Sequence, residues 1–178
     1  AHGGGPFRDW GAHLMDQAVQ LFGPHPELIF ADFQYRWPQV DVETAAVCWM
    51  RFQSGVRYRV EVGGISHTPR PRWYVRGSRG TLTIWGLDPQ EAALHRGEVI
   101  GGRGAMPAEA VRLEGPAAEE GPLPIVPGDY TRFYPNVLAA VRGEAPLLVP
   151  PEEVRDVLAV MDAAIRSAAE GVTVRLGA

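Results

Sequence analysis

Residues 43–62 constrain this chain more than any other stretch. Val56, Tyr58, Val60 and Val62 alternate with Arg57, Arg59 and Glu61, so one face of the segment is apolar and the other polar. A period of two is the mark of a half-buried β-strand. Just before it, residues 43–53 are apolar on both faces, with Val47 and Trp49 set against Cys48 and Met50. That marks a central strand, and Gln53-Ser54-Gly55 turns the chain between the two. The pair predicts an antiparallel hairpin in a sheet that needs cover on both sides.

Helical spacing brackets the hairpin. Trp10, His13, Leu14, Ala18, Leu21 and Phe22 predict a helix over 9–22, ended by Gly23-Pro24, with Asp9 as its N-cap. Leu28 to Trp37 reads as a strand with Ile29, Ala31, Phe33, Tyr35 and Trp37 on one side, closed by Pro38. Residues 72–76 and 81–85 predict a second hairpin across Gly77-Ser78-Arg79-Gly80, with short strands near 91–95 and 109–114. Gly101-Gly102-Arg103-Gly104 and the proline-rich stretch 115–128 read as loops. A helix over 129–142 carries Phe133, Val137, Leu138 and Val141. The last helix opens at Pro150-Pro151-Glu152-Glu153, bears the stripe Val154, Val157, Leu158, Met161, Ile165 and Ala168, and stops at Gly171; Val172-Thr173-Val174 leads out. A helix, five to seven antiparallel strands and two helices predict an α+β fold, with a largely antiparallel open β-sheet and helices on one face. Neither repeat nor boundary is visible, so residues 1–178 read as a single domain.

Composition narrows the function classes. A net charge of -4 argues against a general nucleic-acid role, which needs a basic face. Arginines 57, 59, 70, 72, 76 and 79 interleave with Tyr58, Trp73 and Tyr74, yet they read better as the polar face of a sheet. The one cysteine, Cys48, cannot form an internal disulfide, which favours a reducing, cytoplasmic setting, and its apolar neighbours make it a small buried hydrophobe. No apolar run approaches the ~18 residues of a membrane span, and no secretory signal is visible. All 17 basic residues are arginine, so chemistry that needs a lysine ammonium must borrow it from elsewhere.

Gly3-Gly4-Gly5-Pro6 opens the first helix, and on it Asp9 and His13 share a face, separated by ~6 Å of rise. Three readings stand. In one, Asp9 is a cap, Asp16 is solvated and His13 packs against the sheet. In another, His13-x-x-Asp16 presents two metal ligands; two do not close a site, no partner cluster follows, and no metal is expected. In the third, His13 is a general acid/base and Asp9 orients it or contacts a substrate hydroxyl, beside a glycine loop that lets another molecule approach. The glycines at 101–104 lack the spacing and the following helix of a dinucleotide fingerprint.

The run Gly3-Gly4-Gly5-Pro6-Phe7-Arg8-Asp9-Trp10-Gly11-Ala12-His13-Leu14-Met15-Asp16 resembles the GGG-x-x-x-D-x-G-x-H-x-x-D signature of the Gfo/Idh/MocA oxidoreductases, the glucose–fructose oxidoreductase and inositol dehydrogenase family. Residues 133–143, 148–153 and 160–171 are similar to that family's ending. The resemblance implies the family's C-terminal α/β domain, whose open sheet serves substrate binding and subunit contact. An N-terminal Rossmann domain binds NAD or NADP there. By resemblance, His13 accepts the proton of a substrate hydroxyl while hydride leaves for the nicotinamide, and Asp9 binds or polarises the substrate. Asp16 and Tyr130 fall near the family's substrate contacts, and Gly4 and Gly5 would meet the cofactor.

The departures matter equally. The family's Glu-Lys-Pro motif, its phosphate-binding glycine loop and the elements before the glycine triplet are missing. No part of the chain reads as a Rossmann domain. The expectation is an incomplete fragment, the substrate domain of an oxidoreductase acting on a sugar, cyclitol or related polyol, inactive alone and binding no nicotinamide tightly. It would form a homo-oligomer through its open sheet, by face packing or by pairing along the edge left without its first strand, with neither nucleic acid nor membrane as partner. The alternative is a non-catalytic module that dimerises through its sheet or binds a sugar-like ligand. A family member with altered chemistry, such as NAD-dependent glycoside cleavage, is a third reading.

Overall fold

The computed structural model describes residues 4–98 and 106–176. Gly3 and the expected loop at Gly101–Gly104 lie outside them. In chain order the elements are α1 (Trp10–Phe22), β1 (Leu28–Gln34), β2 (Ala45–Arg51), β3 (Arg57–Gly63), β4 (Trp73–Gly77), β5 (Gly80–Ile84), α2 (Pro89–His95), β6 (Val111–Glu114), α3 (Phe133–Val141) and α4 (Pro151–Glu170). The fold is α+β with antiparallel strands, as expected, but the strands form two three-stranded sheets, β1-β2-β3 and β4-β5-β6. The chain groups into two compact units: the described residues up to His67 with those from Val149 onward, and Thr68–Leu148.

In the first unit the predicted hairpin is present, with β2 paired to β3 in the register Cys48↔Val60 and Trp49↔Arg59. Alternation sorts the side chains by face. Ile29, Ala31, Ala46, Cys48, Met50 and Val60 point inward and are buried. They meet Met15, Ala18 and Val19 of α1 and Val157, Val160, Met161, Ala163 and Ala164 of α4 in one core. Cys48 is fully buried, and burial pushes its thiol up to about 12, so it stays protonated and inert at neutral pH. On the opposite face the row Phe30, Trp49, Arg59 crosses the sheet. Phe30 and Trp49 remain 42% and 48% exposed. The Arg59 guanidinium lies over the Trp49 ring at 5.1 Å and pairs with Glu61.

Two expectations shift. The first strand ends at Gln34, where its carbonyl accepts both the backbone N–H of Thr44 (2.7 Å) and the Thr44 hydroxyl (3.0 Å), so Tyr35 and Trp37 leave the ladder exposed. The buried face of α1 is Gly11, Met15, Ala18 and Val19, while Trp10 and Leu21 are exposed. Met15 and Ala18 fill the contact, Leu14 and Phe22 pack at its margin, and Trp10 and Leu21 fall outside it.

The outer edge of β1 is already occupied. Ile29 exchanges backbone hydrogen bonds with Val174 (2.9 and 2.8 Å), and the Ala31 N–H donates to Ser167 Oγ of α4 (2.9 Å). That hydroxyl donates in turn to the Val172 carbonyl (2.6 Å). Pairing with another chain along this edge, one of the two expected modes of association, is therefore blocked at Ile29 and Ala31.

In the second unit, β4 and β5 form the expected hairpin, closing at Gly77↔Gly80. A Cβ on Gly80 would sit 2.5 Å from the Glu114 carbonyl, so the approach of β6 requires glycine. Residues 91–95, expected as a strand, belong to α2. Asp88 caps that helix by accepting the Gln90 N–H (2.9 Å), with Pro89 at its first turn. Gln90 is buried; its amide donates to Asp88 Oδ1 (3.2 Å), and its carbonyl oxygen accepts the Tyr130 N–H (3.2 Å). This ties α2 to the 3-10 turn that precedes α3.

Among the described residues no helix is long and apolar enough to cross a membrane. Replacing Ser167 with Ala leaves the Ala31 N–H buried without an acceptor and is expected to destabilise the fold by about 1–3 kcal/mol. Urea denaturation measures this, and an unchanged midpoint would rule out the role given to the hydroxyl.

Candidate active site

The site is built by how the chain enters α1. Gly4 has φ +81, a left-handed conformation that glycine adopts without strain. The Gly5 carbonyl then accepts the N–H groups of Arg8 (3.0 Å) and Asp9 (3.2 Å), and the Pro6 carbonyl accepts that of Gly11 (3.0 Å). Phe7 is fully buried, with its ring centroid 4.7 Å from that of Phe33 on β1. Its N–H donates to Glu43 Oε1 at 2.8 Å. Glu43 stands in the β1–β2 loop and is itself buried. A Cβ on Gly5 would come 2.3 Å from the Glu43 carbonyl oxygen and 2.6 Å from its carboxylate. The glycine turn therefore gives close approach to Glu43 of the same chain; Gly5 is buried by it, while Gly4 is exposed.

This anchoring sends the other face of the helix outward. Asp9 occupies the N-cap position of α1, yet its carboxylate makes no capping hydrogen bond. His13 is exposed, so it does not pack against the sheet. Its ring meets that of Trp10 edge-on, with centroids 6.1 Å apart. Asp16, half-buried, follows one turn later. At 100° per residue Asp9, His13 and Asp16 span an arc of about 60°, opposite the buried stripe. An exposed carboxylate at the helix entry and an exposed imidazole one turn on are thus turned to the same side, with the Trp10 ring beside the imidazole.

Tyr130 belongs to the second unit. It is 46% exposed. Burial first, then the charges of Asp88 and Glu91, raise its phenol above the usual tyrosine value. It therefore remains a hydrogen-bond donor at neutral pH.

Two residues of this surface carry no site role in the sequence. Trp10 counts there in the apolar stripe, although its i,i+3 relation to His13 is visible. Glu43 gave no periodic signal, because a buried carboxylate is defined by the loop that folds over it. As for a cofactor, Glu43 closes the glycine turn on one side. The turn does not carry the glycine spacing of a dinucleotide fingerprint. Nor do the described residues contain a cluster of three or more His, Cys, Asp or Glu side chains able to hold a metal ion.

Residues 1–176 match the model of an oxidoreductase family, specifically its C-terminal alpha/beta domain. The chain is 30% identical over 180 residues to the oxidoreductase YdgJ of Escherichia coli K12, covering 98% of this chain and 51% of YdgJ. It is 27% identical over 179 residues to IolW of Bacillus subtilis, a scyllo-inositol 2-dehydrogenase (NADP(+)), covering 97% of this chain and 49% of IolW. The crystal structure of an NAD-binding protein from Listeria innocua matches with a TM-score of 0.69 at 27% identity, over 98% of this chain and 48% of that one. The chain spans about half the length of the curated relatives it matches.

Replacing Gly5 with Ala forces a methyl group into the Glu43 backbone and is expected to cost about 1–3 kcal/mol. The readout is a thermal melt. A melt like that of the unsubstituted chain would show that the turn has slack the geometry does not reveal.

Proposed function

Since the chain belongs to the Gfo/Idh/MocA oxidoreductase family, we propose that it is the substrate-binding and catalytic-base domain of an NAD(P)-dependent oxidoreductase acting on a sugar, cyclitol or related polyol. The observation that carries this reading is an Asp9 carboxylate that makes no capping hydrogen bond, placed on the same side of the α1 entry as an exposed His13. The reaction is the oxidation of an alcohol to a carbonyl. Asp9 holds the substrate hydroxyl by hydrogen bonding, and the His13 imidazole takes its proton. A nicotinamide, when bound, supplies the hydride acceptor. It is held mainly by a dinucleotide-binding domain joined to this chain, which also supplies the ammonium that a chain without lysine lacks. Exposed Gly4 is the glycine free to meet the cofactor, since Glu43 closes off Gly5, and Asp16 is a substrate contact on the same helix. The cyclitol class is supported by IolW. By itself the chain is inactive.

In the joined protein, assayed with both nicotinamides against a polyol panel, His13→Ala is expected to lower turnover by roughly 100- to 10,000-fold with melting unchanged. Near-normal turnover would overturn the assignment of the base.

The second part of the reading is a homo-oligomer, formed in a cytoplasmic setting through the outer face of β1-β2-β3. Exposed Phe30 and Trp49 in adjacent register support face packing. Trp49→Glu places a carboxylate at the centre of that row and is expected to yield monomers in sedimentation. An unsubstituted protein that is already monomeric at high concentration would count against the interface.

A further inference from the structure

We propose that Glu43 is the positioning residue of this site. It fixes the entry into α1 and so sets where Asp9 and His13 stand. The inference rests on the reading above, in which those two residues carry the chemistry.

Three observations converge on Glu43. Its side chain is buried, an expensive place for a polar group unless it has a specific partner. Its partner is the backbone N–H of Phe7, two residues before Asp9, at 2.8 Å. Its carbon and oxygen atoms fill the space left by the missing side chain of Gly5, so loop and turn fit by shape as well as by hydrogen bond. Phe7 is clamped at both ends, its ring in the core and its amide on Glu43.

Inside the turn the Gly5 and Pro6 carbonyls hold Arg8, Asp9 and Gly11, and the Phe7 ring sits in the core; Glu43 is the polar tie from the β1–β2 loop. Gly4 has a left-handed backbone, and the Asp9 carboxylate accepts no capping hydrogen bond at its own helix terminus. Without the Glu43 acceptor the turn can slide along its own backbone bonds, and Asp9 at the N-cap moves with it. His13, one turn further along, follows through the tilt of the helix. Glu43 touches neither substrate nor cofactor; it acts through Phe7. Misplacement of reacting groups by about an ångström is enough to cost large factors in rate.

The test compares Glu43→Gln, Glu43→Asp and Glu43→Ala in the joined protein, with His13→Ala alongside. Glutamine keeps an acceptor at the same reach, whereas aspartate withdraws it by one methylene. Expected are near-normal kcat for Glu43→Gln and a loss of roughly 10- to 100-fold for Glu43→Asp and Glu43→Ala. The fall should be in kcat more than in KM, with melting still cooperative. Hydrogen exchange at the Phe7 amide reads the contact itself. Protection should persist in Glu43→Gln and be lost in the other two.

Unchanged Phe7 protection in Glu43→Ala would overturn the proposal, as would lost protection with full kcat. A loss of activity in Glu43→Gln equal to that in Glu43→Ala would also overturn it, since the role needs an acceptor rather than a charge. The His13 variant separates the two readings. Turnover that survives His13→Ala but falls in Glu43→Asp sinks the base assignment and leaves the anchoring intact. The reverse pattern sinks the anchoring alone.

Discussion

The backbone amide of Phe7 has one place to go, and the first unit is arranged around it. A fully buried phenylalanine at the mouth of a helix carries a donor that must be satisfied inside the protein. The Glu43 carboxylate meets that need from the loop joining two neighbouring strands. The contact joins residues 36 positions apart and ties the entry of α1 to the sheet on which the helix rests. The buried stripe of Gly11, Met15, Ala18 and Val19 can meet the core only in one rotational setting, and in that setting Asp9 and His13 face away from it.

The sheet divides its labour between two faces. The inner face is covered by α1 and α4, with small residues such as Ala18, Ala163 and Ala164 allowing close packing. The outer face keeps two large aromatic rings half in water, one of them shielded by a guanidinium. Cation–π stacking tempers such a surface without removing its apolar character. At the β1 edge the protein has used its own C-terminal segment and a serine hydroxyl to consume free backbone groups. Its outer face is thus left more available to association than that edge is.

What could be read from the sequence divides along the same physical lines. The hairpin at 43–62 was legible because alternation and a short turn are local properties. The last helix was legible because proline opens it and glycine closes it; of its stripe Val157 and Met161 are buried and Ile165 and Ala168 pack against the core, while Val154 and Leu158 stay exposed. Residues 91–95 were misread, since Ala92, Ala93 and Leu94 suit either element over so short a span, and the deciding signal was the Asp88-Pro89 pair just upstream. On α1 the period was right: Leu14, Ala18 and Phe22 of the stripe pack in or against the core, while Trp10, His13 and Leu21 stay exposed and Gly11, Met15 and Val19 complete the buried face. Asp9 and His13 are proposed from spacing and family resemblance together, while Glu43 was invisible to both, because its burial exists only once the loop has closed.

Ser167 reaches Ala31 across 136 positions of chain. The first unit is therefore discontinuous, with the whole of the second unit threaded between its two parts. A ribosome delivers β1, β2 and β3 long before α4, so the apolar inner face of a finished sheet waits uncovered while the intervening unit is made and folds. Contacts of such separation come late in folding and leave strand edges exposed in the interval. Nascent chains of this protein should depend on holdase chaperones until the final helix emerges, and loss of that helix alone should leave the earlier sheet prone to aggregation.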